Sequence, residues 1–249
     1  MSLVFPLHKP YVLGHRGACA HAPENTLSAF RLAMESGADG VELDARLTVD
    51  GAVMVLHDAT VDRVTQGRGR LVKMTQAEVE RLPMRGVENT QFAGERIPSL
   101  QKVFETFGKA PVYDLEIKNF DAPLNGLEGK VLELVERFDL EGRVIITSFN
   151  PAAVLFFRQK LPQAPVGLLL LGGNWGTIEE ALISRWVSPG LVGLSIGDFS
   201  EDLSTRLSGR KILVWGMKTP GEVRDAVKRG AVVLVSDDPG MARAMLEEQ

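Results

Sequence analysis

Cysteine is nearly absent from this chain: Cys19 stands alone among 249 residues. That excludes an intrachain disulfide and any multi-thiolate metal cluster, and it favours a reducing compartment. An excess of positive charge is missing too. Lys and Arg number 28 against 32 Asp and Glu, a formal charge of −4. No broad basic face is left for nucleic acid or anionic lipid, so neither is expected as a partner. Apolar runs such as Leu168–Leu171 fall far short of the roughly 20 residues needed to cross a bilayer. Pro6, His8, Lys9 and Pro10 interrupt anything like a secretory leader, which points to a cytoplasmic protein without a membrane anchor. Linkers, low-complexity tracts and strong repeats are also lacking, so a single domain is expected over residues 1–249.

What is present is a regular alternation. Strand-like apolar runs occur at Tyr11–Leu13, Gly40–Asp44, Pro111–Ile117, Arg143–Phe149, Pro165–Leu171, Leu191–Ile196, Lys211–Trp215 and Ala231–Ser236. Helical spacing separates them, around Thr26–Met34, Leu100–Phe107 and Val131–Val135, then over Ala152–Leu161, Ile178–Trp186, Glu201–Leu207, Pro220–Lys228 and Pro239–Glu247. Several of these segments open on Ser, Thr or Pro, as helix N-termini prefer. Eight βα units predict an α/β fold of one kind, a single closed (β/α)8 TIM barrel.

A ninth apolar run, Val53–Leu56, follows the second strand, which overshoots the barrel mouth, after only Thr48-Val49-Asp50-Gly51-Ala52, too few residues for a helix. Asp50-Gly51 is a strong hairpin signal, so this run is expected to return antiparallel about a two-residue turn, placing His57 across from Asp44. Residues from about 58 to 98 then form a small insertion, with a helical piece near Gln76–Leu82.

Chemistry in such barrels collects at the C-terminal ends of the strands. The polar residues there include His15, Arg16, Glu42, Asp44, Glu116, Lys118, Ser148, Asp198 and Asp237. Residues two apart on a strand share a face, so Glu42 projects with Asp44, and Glu116 with Lys118. Three converging carboxylates repel one another unless a cation lies among them. Oxygen-only ligands suit Mg²⁺, Ca²⁺ or Mn²⁺ rather than zinc. The bland alternative pairs each acid with a neighbouring Arg or Lys. His15 and His57, approaching from opposite sides, suit a general acid–base pair, with Arg16 and Lys118 as phosphate-holding cations. Phe149 and Trp215 are candidates for an apolar wall beside the substrate. Pro23-Glu24-Asn25-Thr26 reads as a helix cap, with Glu24 or Asn25 able to orient His15 or Arg16. His8 and His21 have no assigned role, and the glycine-rich stretches at 67–69 and 171–174 read as turns.

Taken in order, Gly-His-Arg-Gly at 14–17, Pro-Glu-Asn-Thr at 23–26, Gly-Val-Glu-Leu-Asp at 40–44, Leu-His-Asp at 56–58, Glu-Ile-Lys at 116–118 and Val-Ser-Asp-Asp-Pro-Gly at 235–240 resemble the glycerophosphodiester phosphodiesterase family. The resemblance implies hydrolysis of small-molecule glycerophosphodiesters to sn-glycerol 3-phosphate and an alcohol. It also implies a divalent ion on Glu42, Asp44 and Glu116, with His15 and His57 as the acid–base pair. Two departures stand out: Trp215-Gly216-Met217-Lys218 where Trp-Thr-Val-Asn is frequent, and Asp114 where Asn is frequent. The competing readings are a lysophospholipase D-type enzyme, which needs an exposed apolar rim, and a non-catalytic metal- or phosphate-binding barrel.

Overall fold

A computed structural model describes residues 10–119, 124–170 and 190–248. The strands are β1 (Tyr11–Gly14), β2 (Gly40–Leu47), β3 (Val53–Val55), β4 (Val112–Ile117), β5 (Val144–Ser148), β6 (Val166–Leu169), β7 (Leu191–Ser195), β8 (Lys211–Met217) and β9 (Ala231–Ser236). All but β3 are parallel neighbours, in the order β1-β9-β8-β7-β6-β5-β4-β2, and β1 pairs with β2 to close a barrel of eight. Among the described residues the closing seam is the shortest, with two paired positions, Leu13 with Gly40 and Gly14 with Val41. On its other edge β2 pairs with β4 at six, which places Asp44 beside Glu116 and Glu42 beside Asp114.

Between the strands run α1 (Leu27–Glu35), α2 (Gln76–Glu80), α3 (Leu100–Phe107), α4 (Leu127–Arg137), α5 (Pro151–Lys160), α6 (Glu201–Arg206), α7 (Pro220–Lys228) and α8 (Pro239–Glu247). Their starts follow local chemistry. Thr26, Ser99, Asn150, Ser200, Thr219 and Asp238 each accept a backbone N–H of the first turn, and α5, α7 and α8 open on proline. The expected helix at Ile178–Trp186 and the end of the Pro165–Leu171 run lie outside the described residues, as do His8 and the turn at 171–174. The inner faces of the helices and the outer faces of the strands bury one large cluster that includes Phe30, Phe104, Tyr113, Phe157 and Phe199, while Leu13, Ile145, Leu191, Leu213 and Val235 belong to a second, separate one. No described helix is long and apolar enough to cross a membrane.

The hairpin forms, but its register differs from expectation by one residue. Ala45 faces Val55, Arg46 faces Met54 and Leu47 faces Val53, so Asp44 lies across from Leu56, whose N–H it accepts at 2.9 Å, and not across from His57. The turn has three residues rather than two. Thr48 and Ala52 close it, aided by the Thr48 hydroxyl, and Gly51 takes the left-handed position at φ 81°. Because β3 stops at Val55, His57 is freed from strand alternation. Arg46 then pins its position by donating through Nε and Nη2 to the His57 carbonyl at 2.9 and 2.6 Å. The insertion carries a single turn of 3₁₀ helix at Leu71–Lys73 and α2, which stops at Glu80, short of Leu82. Beneath them lies a core of its own, built on Met54, Leu56, Val61, Leu71, Val79 and Ile97.

Candidate active site

At the C-terminal mouth of the barrel a cavity of about 200 Å³ is lined by His15, Arg16, Glu42, His57, Asp114, Glu116, Lys118, Thr147, Phe149 and Trp215, with Leu169, Leu213 and Val235 at its base. Asp44 is fully buried just behind this lining. His15, Arg16, Glu42, Asp44, His57, Glu116, Lys118, Phe149 and Trp215 therefore meet here. Ser148 does not: its hydroxyl turns away to donate to the Ile117 carbonyl, and Thr147 faces the cavity instead. Asp198 accepts from the Ser195 hydroxyl, outside the cavity lining.

Glu42, Asp44 and Glu116 bring one carboxylate oxygen each to within 4.8 Å of one another. Asp114, also buried, accepts the Thr147 hydroxyl at 2.8 Å. Among the described residues, two permanent cations answer these four carboxylates. Lys118 Nζ lies 3.1 Å from Asp44 Oδ1 and 2.5 Å from Glu116 Oε1, and Arg16 Nε lies 3.5 Å from Asp44 Oδ2. Both oxygens facing Lys118 are nonetheless buried without a hydrogen bond of proper geometry. The charge is unevenly shared. Burial raises the proton affinity of Asp44, but Lys118, Arg16, His57 and the Asn25 amide outweigh it and hold Asp44 below the usual carboxylate range. Burial pushes Glu42 and Glu116 up, and the Asp44 charge pushes them further. Asp114 is pushed up to about 7, by burial first. A crowded oxygen-only cluster with unsatisfied acceptors and too little positive charge fits a hard divalent cation.

The two histidines are held by matching devices. His15 Nδ1 lies 2.6 Å from Asp237 Oδ1, and His57 Nδ1 lies 2.7 Å from Asp58 Oδ1, so each Nε2 is the ring nitrogen left for other work. The outcomes diverge. For His15, burial opposes the charge, but Asp237, Cys19 and Glu42 overcome it and raise the ring to about 10. For His57, burial dominates and lowers the ring below its ordinary value, with Asp44 pulling the other way and Lys118 adding to the fall. The two rings are thus shifted in opposite directions.

Pro23-Glu24-Asn25-Thr26 turns out to do more than cap. Thr26 caps α1, Glu24 accepts Arg16 Nη1 at 3.0 Å, and Asn25 donates its amide to Asp44 Oδ2 at 2.8 Å. Arg16 and Asn25 both take left-handed backbone, φ 49° and 57°, and the Arg16 N–H donates to Glu42 at 2.8 Å. Arg63, from the insertion, escaped the reading of the sequence. It forks onto both oxygens of Glu24 at 2.6 and 2.8 Å and donates through Nε to Asp58 at 2.6 Å, tying the His57 support to that of Arg16. The only local signal was a basic residue five positions after Asp58. Trp215 and Phe149 meet edge to face, their centroids 5.9 Å apart, along one wall. His21 pairs with Asp238 at 3.0 Å near the surface.

A model of the glycerophosphoryl diester phosphodiesterase family matches residues 15–241. The chain belongs to this family. It is a phosphoric diester hydrolase on a TIM barrel, and the site above is where its strands end. The glycerophosphodiester phosphodiesterase of Caldanaerobacter subterraneus subsp. tengcongensis is 35% identical over 239 residues, covering 93% of this chain and 95% of that one. Among solved structures, the Thermotoga maritima glycerophosphodiester phosphodiesterase aligns with a TM-score of 0.76 and 27% identity, over 97% of this chain and 99% of that one. An Oleispira antarctica phosphodiesterase, solved with sn-glycerol-3-phosphate, aligns with a TM-score of 0.81 over 96% of this chain and 97% of that one, and at 23% identity the likeness is one of fold.

Proposed function

We propose that this enzyme hydrolyses small glycerophosphodiesters to sn-glycerol 3-phosphate and an alcohol in the cytoplasm, as a single catalytic domain that requires a divalent ion. The observation that carries the reading is the convergence of two carboxylate-supported histidines, a carboxylate cluster and two cations in one cavity. Glu42, Asp44 and Glu116 would hold the ion, Mg²⁺ or Ca²⁺ by donor chemistry, with Mn²⁺ also compatible. When bound, the ion polarises the phosphoryl group and neutralises charge that develops on it.

This chain's own residues do the rest. Arg16, steadied by Glu24, and Lys118, in the lining of the cavity, bind phosphate oxygens, the first as a fork and the second as a point charge. His15 and His57 serve as proton donor and acceptor, their rings fixed by Asp237 and Asp58 so that Nε2 meets the substrate. Phe149 and Trp215 form the apolar wall that packs carbon atoms of the substrate and excludes water. The lysolipid alternative gains no support from the insertion. Val61 and Leu71 are buried, Val64, Met74 and Phe92 pack onto the same small core, and Val72 is the one large exposed apolar side chain described there.

The test is release of glycerol 3-phosphate from a panel of glycerophosphodiesters and lysolipids, first after EDTA treatment and then with each ion restored. Activity on the water-soluble diesters that vanishes with EDTA and returns with an ion is the expected result. Full turnover after exhaustive chelation, or activity on lysolipids alone, would overturn the reading.

A further inference from the structure

Behind the His15 ring, on the side away from the carboxylate cluster, lies a second group of donors with different chemistry. Cys19 Sγ, a carboxylate oxygen of Asp237 and a ring nitrogen of His15 all lie within 4.8 Å of one another, and all three side chains are half-buried. Nδ1 is the ring nitrogen on the Asp237 side. The loop that carries Cys19 is anchored to the same strand end, with Ala20 donating its N–H to the Asp237 carbonyl at 3.0 Å. The three donors thus sit on a fixed frame.

One nitrogen, one sulfur and one oxygen suit a borderline-soft ion, in contrast to the oxygen-only set of Glu42, Asp44 and Glu116. Three protein ligands are also the number that leaves a tetrahedral ion one open position for water. We propose that His15, Cys19 and Asp237 form a zinc site, separate from the carboxylate cluster, whose occupation inhibits the enzyme. Burial pushes the Cys19 thiol up, so the free residue is S–H and the ion must displace its proton. Zinc replaces the S–H bond by a Zn–S bond and the Nδ1–H donated to Asp237 by a Zn–N bond, releasing both protons to solvent. His15 is left with one proton, on Nε2. In that state it has no lone pair with which to accept a proton and no imidazolium charge to make its remaining one acidic. The binding limb of the proposal stands on the donor set alone; the inhibitory limb rests on the proposed role of His15.

The experiment compares the wild-type enzyme with Cys19→Ser, which keeps a hydrogen-bonding group but offers zinc a poor ligand. Zinc is titrated against glycerol 3-phosphate release with Mg²⁺ present, and Co²⁺ is titrated in parallel while thiolate-to-cobalt charge transfer is followed in the near ultraviolet. The expected result is a charge-transfer band in the wild type that Cys19→Ser lacks, and zinc inhibition, taken relative to each protein's own zinc-free rate, at least about 10-fold weaker in the variant. No band in the wild type, or equal zinc sensitivity in the two proteins, overturns the site. A band with undiminished turnover in zinc overturns the inhibitory role. A wild type that releases no glycerol 3-phosphate before zinc is added would count against the proposed reaction, with the cobalt band still deciding the site.

Discussion

Removing and restoring a divalent ion should change the stability of this enzyme by an amount that can be worked out in advance. Glu42, Asp44, Asp114 and Glu116 are buried together, and among the described residues Arg16, Lys118 and a charged His15 stand against them. Without an ion, the deficit is met by protons on the carboxyls that burial and the Asp44 charge push up. A carboxyl whose folded pKa lies above its unfolded one favours folding while protonated. Ion-free stability from these groups is therefore greatest below pH 4 and is lost as the pH rises toward about 7, the value reached by Asp114. An ion takes the place of those protons, so its effect should be larger at pH 8 than at pH 6. At about 100 times its dissociation constant it adds about 2.7 kcal/mol. For a chain of this size that is a rise in Tm of about 5–10 °C. Differential scanning fluorimetry of EDTA-treated protein, with Mg²⁺, Ca²⁺ and Mn²⁺ added in turn, measures it. Glu116→Gln supplies the control: it should melt higher than wild type without an ion, since one crowded charge is gone, and respond little to any ion. A wild type indifferent to all three ions, or a Glu116→Gln variant with the full response, would refute the reasoning.

Three other outcomes follow from the geometry. His15→Ala and His57→Ala should each lower kcat by about 10²-fold or more with circular dichroism and Tm little changed, and normal turnover in either would remove that residue from the acid–base pair. Arg63→Gln should lower kcat by about 10-fold through the loosened Asp58–His57 support, with KM shifting less; a KM effect alone would place Arg63 in binding instead. Gly40→Ala should destabilise the fold by about 3 kcal/mol in urea titration, because a Cβ there would sit 1.9 Å from the Val112 carbonyl oxygen; an unchanged midpoint would mean that β2 and β4 can separate without cost.

The barrel was legible because its strands are buried on both faces and so read as short unbroken apolar runs, with capped or proline-initiated helices between them. Where runs end in charge, as at Glu42-Leu43-Asp44 and Glu116-Ile117-Lys118, the inward-facing polar residues could be read as well. The hairpin was harder. Asp50-Gly51 signals a turn in either a two- or a three-residue loop, and only the Thr48 side chain, closing back onto Ala52, decides between them. Supports drawn from a distance in sequence were least visible. Asp237 reaches His15 across 222 positions and Arg63 reaches Glu24 across 39, and nothing in either neighbourhood announces the partner.

Closure between β1 and β2 rests on two backbone-paired positions, yet the same joint is crossed above them by Arg16 N–H to Glu42 and by Asn25 to Asp44. The barrel is thus laced at its weakest stave by residues that line the cavity or lie directly behind it. In many enzymes, blunting the active site relieves strain and hardens the protein, so that durability and turnover are exchanged one for the other. Here that exchange is partly blocked. Trimming Asn25 or Glu42 slackens the wall along with the carboxylate cluster, and a search for tougher variants has to begin elsewhere on the barrel.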